Sequence, residues 1–165
     1  MPQASVPQSP LRNRGNLALA ALLARPGCDM TQVVALWGVE SKAGWHAILL
    51  AEDEFLIRLI LAEVLADSGH EVVEAGTADE AAVLANAGEL FDLLLTDIHM
   101  PGELDGLALA RLLRSLQPEI PVIYVTGRPE ALRKVGNLGP RDVFVRKPYS
   151  AREVIAVVEK LLTDA

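Results

Sequence analysis

From residue 46 onward, the hydrophobic and polar positions of this chain change period again and again. A continuous apolar run from His46 to Ala51 ends in Glu52-Asp53-Glu54. Its length suits a buried parallel strand. Phe55 to Ser68 is leucine-rich and free of glycine, which predicts a helix with Gly69 as its stop. His70 to Glu74 predicts a short second strand. Thr77-Ala-Asp-Glu80 is a capping box, whose hydroxyl and carboxylate satisfy free backbone donors. It opens a helix to about Gly88. Phe91 to Asp97 predicts the third strand, again ending in a carboxylate. Pro101, Gly102 and Gly106 mark a loop, and Asp105 can cap the helix that follows. Leu109, Leu112, Leu113 and Leu116 give that helix one apolar stripe. Ile120 to Val125 predicts the fourth strand, ending at Thr126-Gly127. Pro129 to Val135 predicts a short helix, stopped by Gly136, Gly139 and Pro140. Asp142 to Arg146 predicts the fifth strand, ending at Lys147-Pro148. Ser150-Ala-Arg-Glu153 is a second capping box. The last helix carries Val154, Ile155, Val157, Val158, Leu161 and Leu162 on one face.

Five strands alternating with five helices predict an α/β fold: a five-stranded parallel, doubly wound sheet with helices on both faces. The stretch 1–45 does not share this pattern. It holds four prolines, and four basic residues against two acids, a net +2. That leaves −9 for the remaining 120 residues of a chain whose total is −7. The division predicts an N-terminal extension over 1–45, disordered or partly helical, and one domain over 46–165. Leu17 to Ala24 follows Arg12 and Arg14 in the outline of a secretory signal, but Arg25-Pro26-Gly27-Cys28 lacks the small residues of a cleavage site. Met30 offers an alternative start. The expectation is a cytoplasmic protein. No apolar run approaches the roughly 20 residues of a membrane span. The single cysteine, Cys28, excludes an internal disulfide and a multi-cysteine zinc site. The acidic balance argues against nucleic acid bound through broad charge attraction.

In sheets of this class the functional site lies outside the carboxyl ends of the strands. Those ends carry Glu52 and Asp53, then Asp97, then Thr126, then Lys147. Each taken alone is an ordinary cap, turn or solvated surface residue. Together they share one chemical logic. Clustered carboxylates repel unless a cation intervenes. A hard divalent cation such as Mg²⁺ suits oxygen ligands and keeps several waters. With the cluster partly neutralised, Asp97 can attack a phosphorus atom. The transferring group then needs positive charge around its oxygens, which Mg²⁺ and Lys147 supply, with the Thr126 hydroxyl as a further donor.

These residues lie in segments that resemble the receiver domain of bacterial response regulators. The carrying pieces are Ile48-Leu-Leu-Ala-Glu-Asp-Glu54, Leu93-Leu-Leu-Thr-Asp-Ile-His-Met-Pro101 with Asp105-Gly106, Val122-Ile-Tyr-Val-Thr-Gly127, and Val145-Arg-Lys-Pro148. The resemblance covers about 46–165. It implies the flavodoxin-like strand order 2-1-3-4-5 and a phosphoaccepting Asp97. It implies Mg²⁺ held by Glu52, Asp53, Asp97 and the backbone carbonyl of His99. Thr126 would be the switch hydroxyl, Lys147 the phosphoryl-contacting lysine and Phe144 the switch aromatic. A cis peptide is implied before Pro148. The implied partners are a sensor histidine kinase or histidine phosphotransferase as donor and a downstream protein as target, with no nucleic acid and no membrane.

Two departures stand out. The stretch from Met100-Pro101 to Asp105-Gly106 is one residue longer than usual, through Gly102-Glu103-Leu104. The fourth helix is short, and Thr126-Gly127-Arg128 resembles a group of small alphaproteobacterial-type receivers. His99 and Arg128 each stand two residues past a site residue, where this family tunes the loss of the phosphoryl group. The chain ends at Ala165, directly after the last helix, so output is expected through binding or onward transfer. The leading expectation is a stand-alone phosphoaccepting regulator. The alternatives are a phosphorelay intermediate or phosphate sink, a pseudo-receiver, and a flavodoxin-like ligand binder. The last needs a phosphate-cradling loop where this chain has Glu52-Asp53-Glu54.

Overall fold

The computed structural model describes residues 45–128 and 139–163. Its elements are β1 (Ala47–Ala51), α1 (Phe55–Asp67), β2 (Glu71–Ala75), α2 (Ala78–Asn86), β3 (Leu93–Asp97), α3 (Gly106–Leu116), β4 (Val122–Thr126), β5 (Asp142–Arg146) and α4 (Ala151–Thr163). The five strands form one sheet in the order β2-β1-β3-β4-β5. Every neighbouring pair is parallel. The order reverses between β1 and β3, which opens a crevice at their carboxyl ends. The extension over 1–45 and the predicted helix Pro129 to Val135 fall outside the described residues, Trp45 excepted.

The helix starts follow their caps. The Thr77 hydroxyl accepts the Glu80 N–H at 3.1 Å, and the Glu80 carboxylate accepts the Gly76 N–H at 2.7 Å. Asp105 accepts the Ala108 N–H at 2.8 Å. Ser150 and Glu153 bond reciprocally at 3.3 and 2.7 Å. Gly69 ends α1 with a positive φ of 93°, a conformation that costs glycine little.

Strand alternation divides the core. Ile48, Leu50, Leu93, Leu95, Ile123 and Val125 face Leu61 and Leu65 of α1 and Val154, Val158 and Leu162 of α4 in one cluster. The other strand positions face α2 and α3 by the same alternation. There α2 presents Ala78, Ala81, Ala82 and Ala85, whose small side chains let it lie close to the sheet and to α3. Truncating a fully buried leucine such as Leu93 to alanine is worth about 2–5 kcal/mol. One detail differs from the expected stripe on α3. Leu109 and Leu113 are buried, but Leu116 in the last turn is half exposed. The buried positions of that helix run from Gly106 to Leu113, and its last turn leaves the core.

Candidate functional site

The apolar strands end together, so their first polar residues gather at one edge. Glu52 follows β1 and is 1% exposed, and Asp97 closes β3 at 7%. Asp53 is exposed. These three each offer a carboxylate oxygen, all within 4.8 Å of one another. Lys147, just past β5, reaches back across the edge. Its ammonium donates to Asp97 Oδ2 at 2.5 Å and to Glu52 Oε2 and Oε1 at 3.0 and 3.2 Å. The Lys147–Pro148 bond is cis.

The backbone completes the frame. The His99 N–H donates to Asp97 Oδ1 at 2.9 Å, while the His99 side chain is exposed. Gly106, at the start of α3, lies against the Asp97 carbonyl so closely that a Cβ there would overlap it. Its own N–H donates to the Ile98 carbonyl at 3.1 Å. Any side chain at 106 would push α3 away from the strand end.

Burial raises the pKa of Glu52, and the neighbouring Asp97 charge adds to the rise against the opposing bonds from Lys147. Burial works against the charge of Lys147, but its bonds to Asp97 and Glu52 outweigh that and hold its pKa above the ordinary value. The cluster is therefore an acidic pair stapled by one cation. Closely spaced carboxylates with this need for compensating charge are a donor set that fits Mg²⁺.

Two predicted residues, Thr126 at the edge and Phe144 in the middle of β5, are engaged locally rather than with the cluster. Thr126 is buried at the end of β4, yet its hydroxyl accepts the Arg128 N–H at 3.0 Å and donates to the Arg128 carbonyl at 3.2 Å. Phe144 on β5 stacks on Tyr124 with ring centroids 5.0 Å apart. Sequence reasoning also missed two neighbours. Arg58 donates to the Glu52 carbonyl at 2.6 Å and pairs with Glu74 at 3.5 Å, so it ties the acidic turn to β2. Among the described residues, the buried hydroxyl of Tyr149 has no hydrogen-bond partner. Burial, then the charge of Glu52, pushes its pKa up to about 12. The placement of Arg58 six positions after Glu52 carries no motif, because one partner is a backbone carbonyl and the other lies on a different strand.

The family model for the response regulator receiver domain matches residues 48–159. The chain belongs to that family. The receiver is 35% identical over 119 residues to the response regulator receiver protein CpdR of Brucella abortus, covering 72% of this chain and 98% of that protein. It is 36% identical over 120 residues to the transcriptional regulatory protein AruR of Pseudomonas aeruginosa, covering 70% of this chain. It spans about half the length of AruR, 48%. A crystal structure of a response regulator receiver protein from Sinorhizobium medicae superposes with a TM-score of 0.67 at 30% identity, covering 73% of this chain and 97% of that one. Receivers belong to two-component response regulators, bind Mg²⁺ at an acidic pocket and meet histidine kinases or phosphotransfer proteins. Among the described residues, no helix is long and apolar enough to cross a membrane.

Proposed function

We propose that this receiver accepts a phosphoryl group from a phosphohistidine donor onto Asp97 and signals through protein contacts, as a cytoplasmic single-domain regulator over 46–165 with an N-terminal extension over 1–45. The observation that carries the reading is the buried Glu52–Lys147–Asp97 cluster at the strand-order reversal. In the step, an Asp97 oxygen forms a bond to phosphorus as the P–N bond of the phosphohistidine breaks. The imidazole leaves with the electron pair. Glu52, Asp53, Asp97 and the His99 carbonyl would hold Mg²⁺, which when bound supplies positive charge against the phosphoryl oxygens. Lys147 shifts from the carboxylate pair to a phosphoryl oxygen. The His99 N–H fixes the carboxylate so that one oxygen is presented.

Thr126 would exchange its Arg128 bonds for a phosphoryl oxygen, and Phe144 would move into the space it leaves. The same chemistry serves the alternative of a phosphorelay intermediate or sink, with hydrolysis of the acyl phosphate returning Asp97 to its free state. A donor protein must bring its imidazole to this edge. There α1 exposes Phe55, Leu56, Leu59 and Ile60, an apolar face suited to a helical partner.

Acetyl phosphate tests the chemistry. With Mg²⁺ the full chain should gain one phosphoryl mass, and Asp97→Asn or omission of Mg²⁺ should abolish the gain. Equal labelling of Asp97→Asn would overturn the assignment of the acceptor.

A further inference from the structure

The loop between β3 and α3 spans Ile98 to Asp105 and contains the extra residue noted above. Its base is closed by the Gly106 N–H on the Ile98 carbonyl at 3.1 Å. Its tip is held from another element. Asp79, in the first turn of α2, accepts the Glu103 N–H on Oδ2 at 3.0 Å. Gly102 lies against the same oxygen with φ +134°, and a Cβ at 102 would overlap Asp79 Oδ2. Both the missing side chain and the positive φ are needed for this seat. The longer loop is thus latched to α2 at the residues that make it longer.

Three residues before Gly102 stands His99, whose N–H orients Asp97. We propose that Asp79 is a positioning residue for this loop and, through it, sets the affinity of the acidic site for Mg²⁺. The inference rests on the receiver reading. A loop left free would have to be ordered when its backbone joins the site, and that ordering opposes binding. The latch orders it beforehand. Asp79 touches neither the acceptor nor the phosphoryl group, so the phosphorylation rate at saturating Mg²⁺ should change little.

Calorimetric titration of the full chain with MgCl₂ tests this. Asp79→Ala should weaken Mg²⁺ binding about fivefold, the scale of one hydrogen bond to a charged acceptor in a half-exposed setting. Gly102→Ala should do the same by displacing the Asp79 carboxylate while leaving the sequence of α2 unchanged, and it carries the test if Asp79→Ala does not fold. Asp79→Asn keeps an acceptor oxygen but loses the charge that favours a helix N-terminus. It should bind Mg²⁺ within about twofold of wild type. A lower melting temperature with wild-type Mg²⁺ affinity in both Asp79→Ala and Gly102→Ala would overturn the proposal, as would an Asp79→Asn as weak as the alanine. A wild-type chain that binds no Mg²⁺ would instead overturn the receiver reading beneath it.

Discussion

The half of the site built on β1 and β3 is already assembled, whereas the half built on β4 and β5 is not, Lys147 excepted. Glu52, Asp97 and Lys147 are joined by direct bonds. Thr126 and Phe144 are occupied locally, by Arg128 and Tyr124. The difference follows from charge. Two buried carboxylates cannot be left without a cation, so the fold must pair them at once. A hydroxyl finds an adequate partner two residues along its own chain. On the proposed function, chemistry is built in and response is left to movement, since a switch needs a second arrangement of similar energy.

The strongest way to break this contrast is to remove the staple. Lys147→Met leaves Glu52 and Asp97 buried without a cation, and a broken buried pair is strongly destabilising. Urea unfolding should show a loss of about 2–3 kcal/mol without metal. Added Mg²⁺ should restore part of it, more than it stabilises wild type. A variant as stable as wild type and indifferent to Mg²⁺ would mean that the carboxylates shed their charge instead.

On the other half, Thr126→Ala should lower stability by only about 1 kcal/mol, the Arg128 N–H having lost its acceptor. Labelling of Asp97 should persist. The amide spectrum around Phe144 and Tyr124 should then no longer respond to beryllofluoride, a phosphoryl mimic. An unchanged response there would remove Thr126 from the switch.

Much of this contrast was legible in the sequence, for a physical reason. Buried parallel strands such as β1 and β3 carry no charge before their last residue, so the first charged residue marks the strand end, and Glu52 and Asp97 were found that way, while Lys147 was marked by the Lys147-Pro148 pair that follows β5. The caps at Thr77, Asp105 and Ser150 were legible because their bonds are local. What could not be read was orientation and long-range pairing. Nothing at Thr126 tells which way its hydroxyl points. Arg58 acts on a carbonyl, and Asp79 meets Glu103 across 24 residues. The exposed apolar face of α1 was hidden as well, because a helix apolar on most sides gives no stripe to say which side is covered.

The pH dependence sharpens the picture of the assembled half. Burial raises the pKa of Glu52 above its ordinary 4.5, so the folded state holds that proton more tightly than the unfolded chain. The contribution is complete below 4.5 and is lost as pH rises through the folded value. In metal-free protein, the stability of wild type relative to Glu52→Gln should therefore fall as pH climbs from 4.5 through the mildly acid range. The bonds from Lys147 oppose the rise, which keeps the fall small. A difference that grows with pH would show that Lys147 outweighs burial.

The smallest effect belongs to Tyr149, which borders both the acidic cluster and the apolar side of α1. Its ring packs against the core, and it lines a groove of about 520 Å³ with Ile57, Ile60, Leu61 and Pro148. Its buried hydroxyl has no partner among the described residues. A buried hydroxyl left unbonded opposes folding, so Tyr149→Phe should stabilise the metal-free protein by about 0.5–1 kcal/mol. The sign is the informative part. Destabilisation would mean that the hydroxyl is bonded in solution, with Glu52, whose charge raises the Tyr149 pKa, as the candidate acceptor. The assembled half would then extend beyond Lys147 into the turn that opens α4, and the boundary between the fixed and movable parts of the site would shift with it.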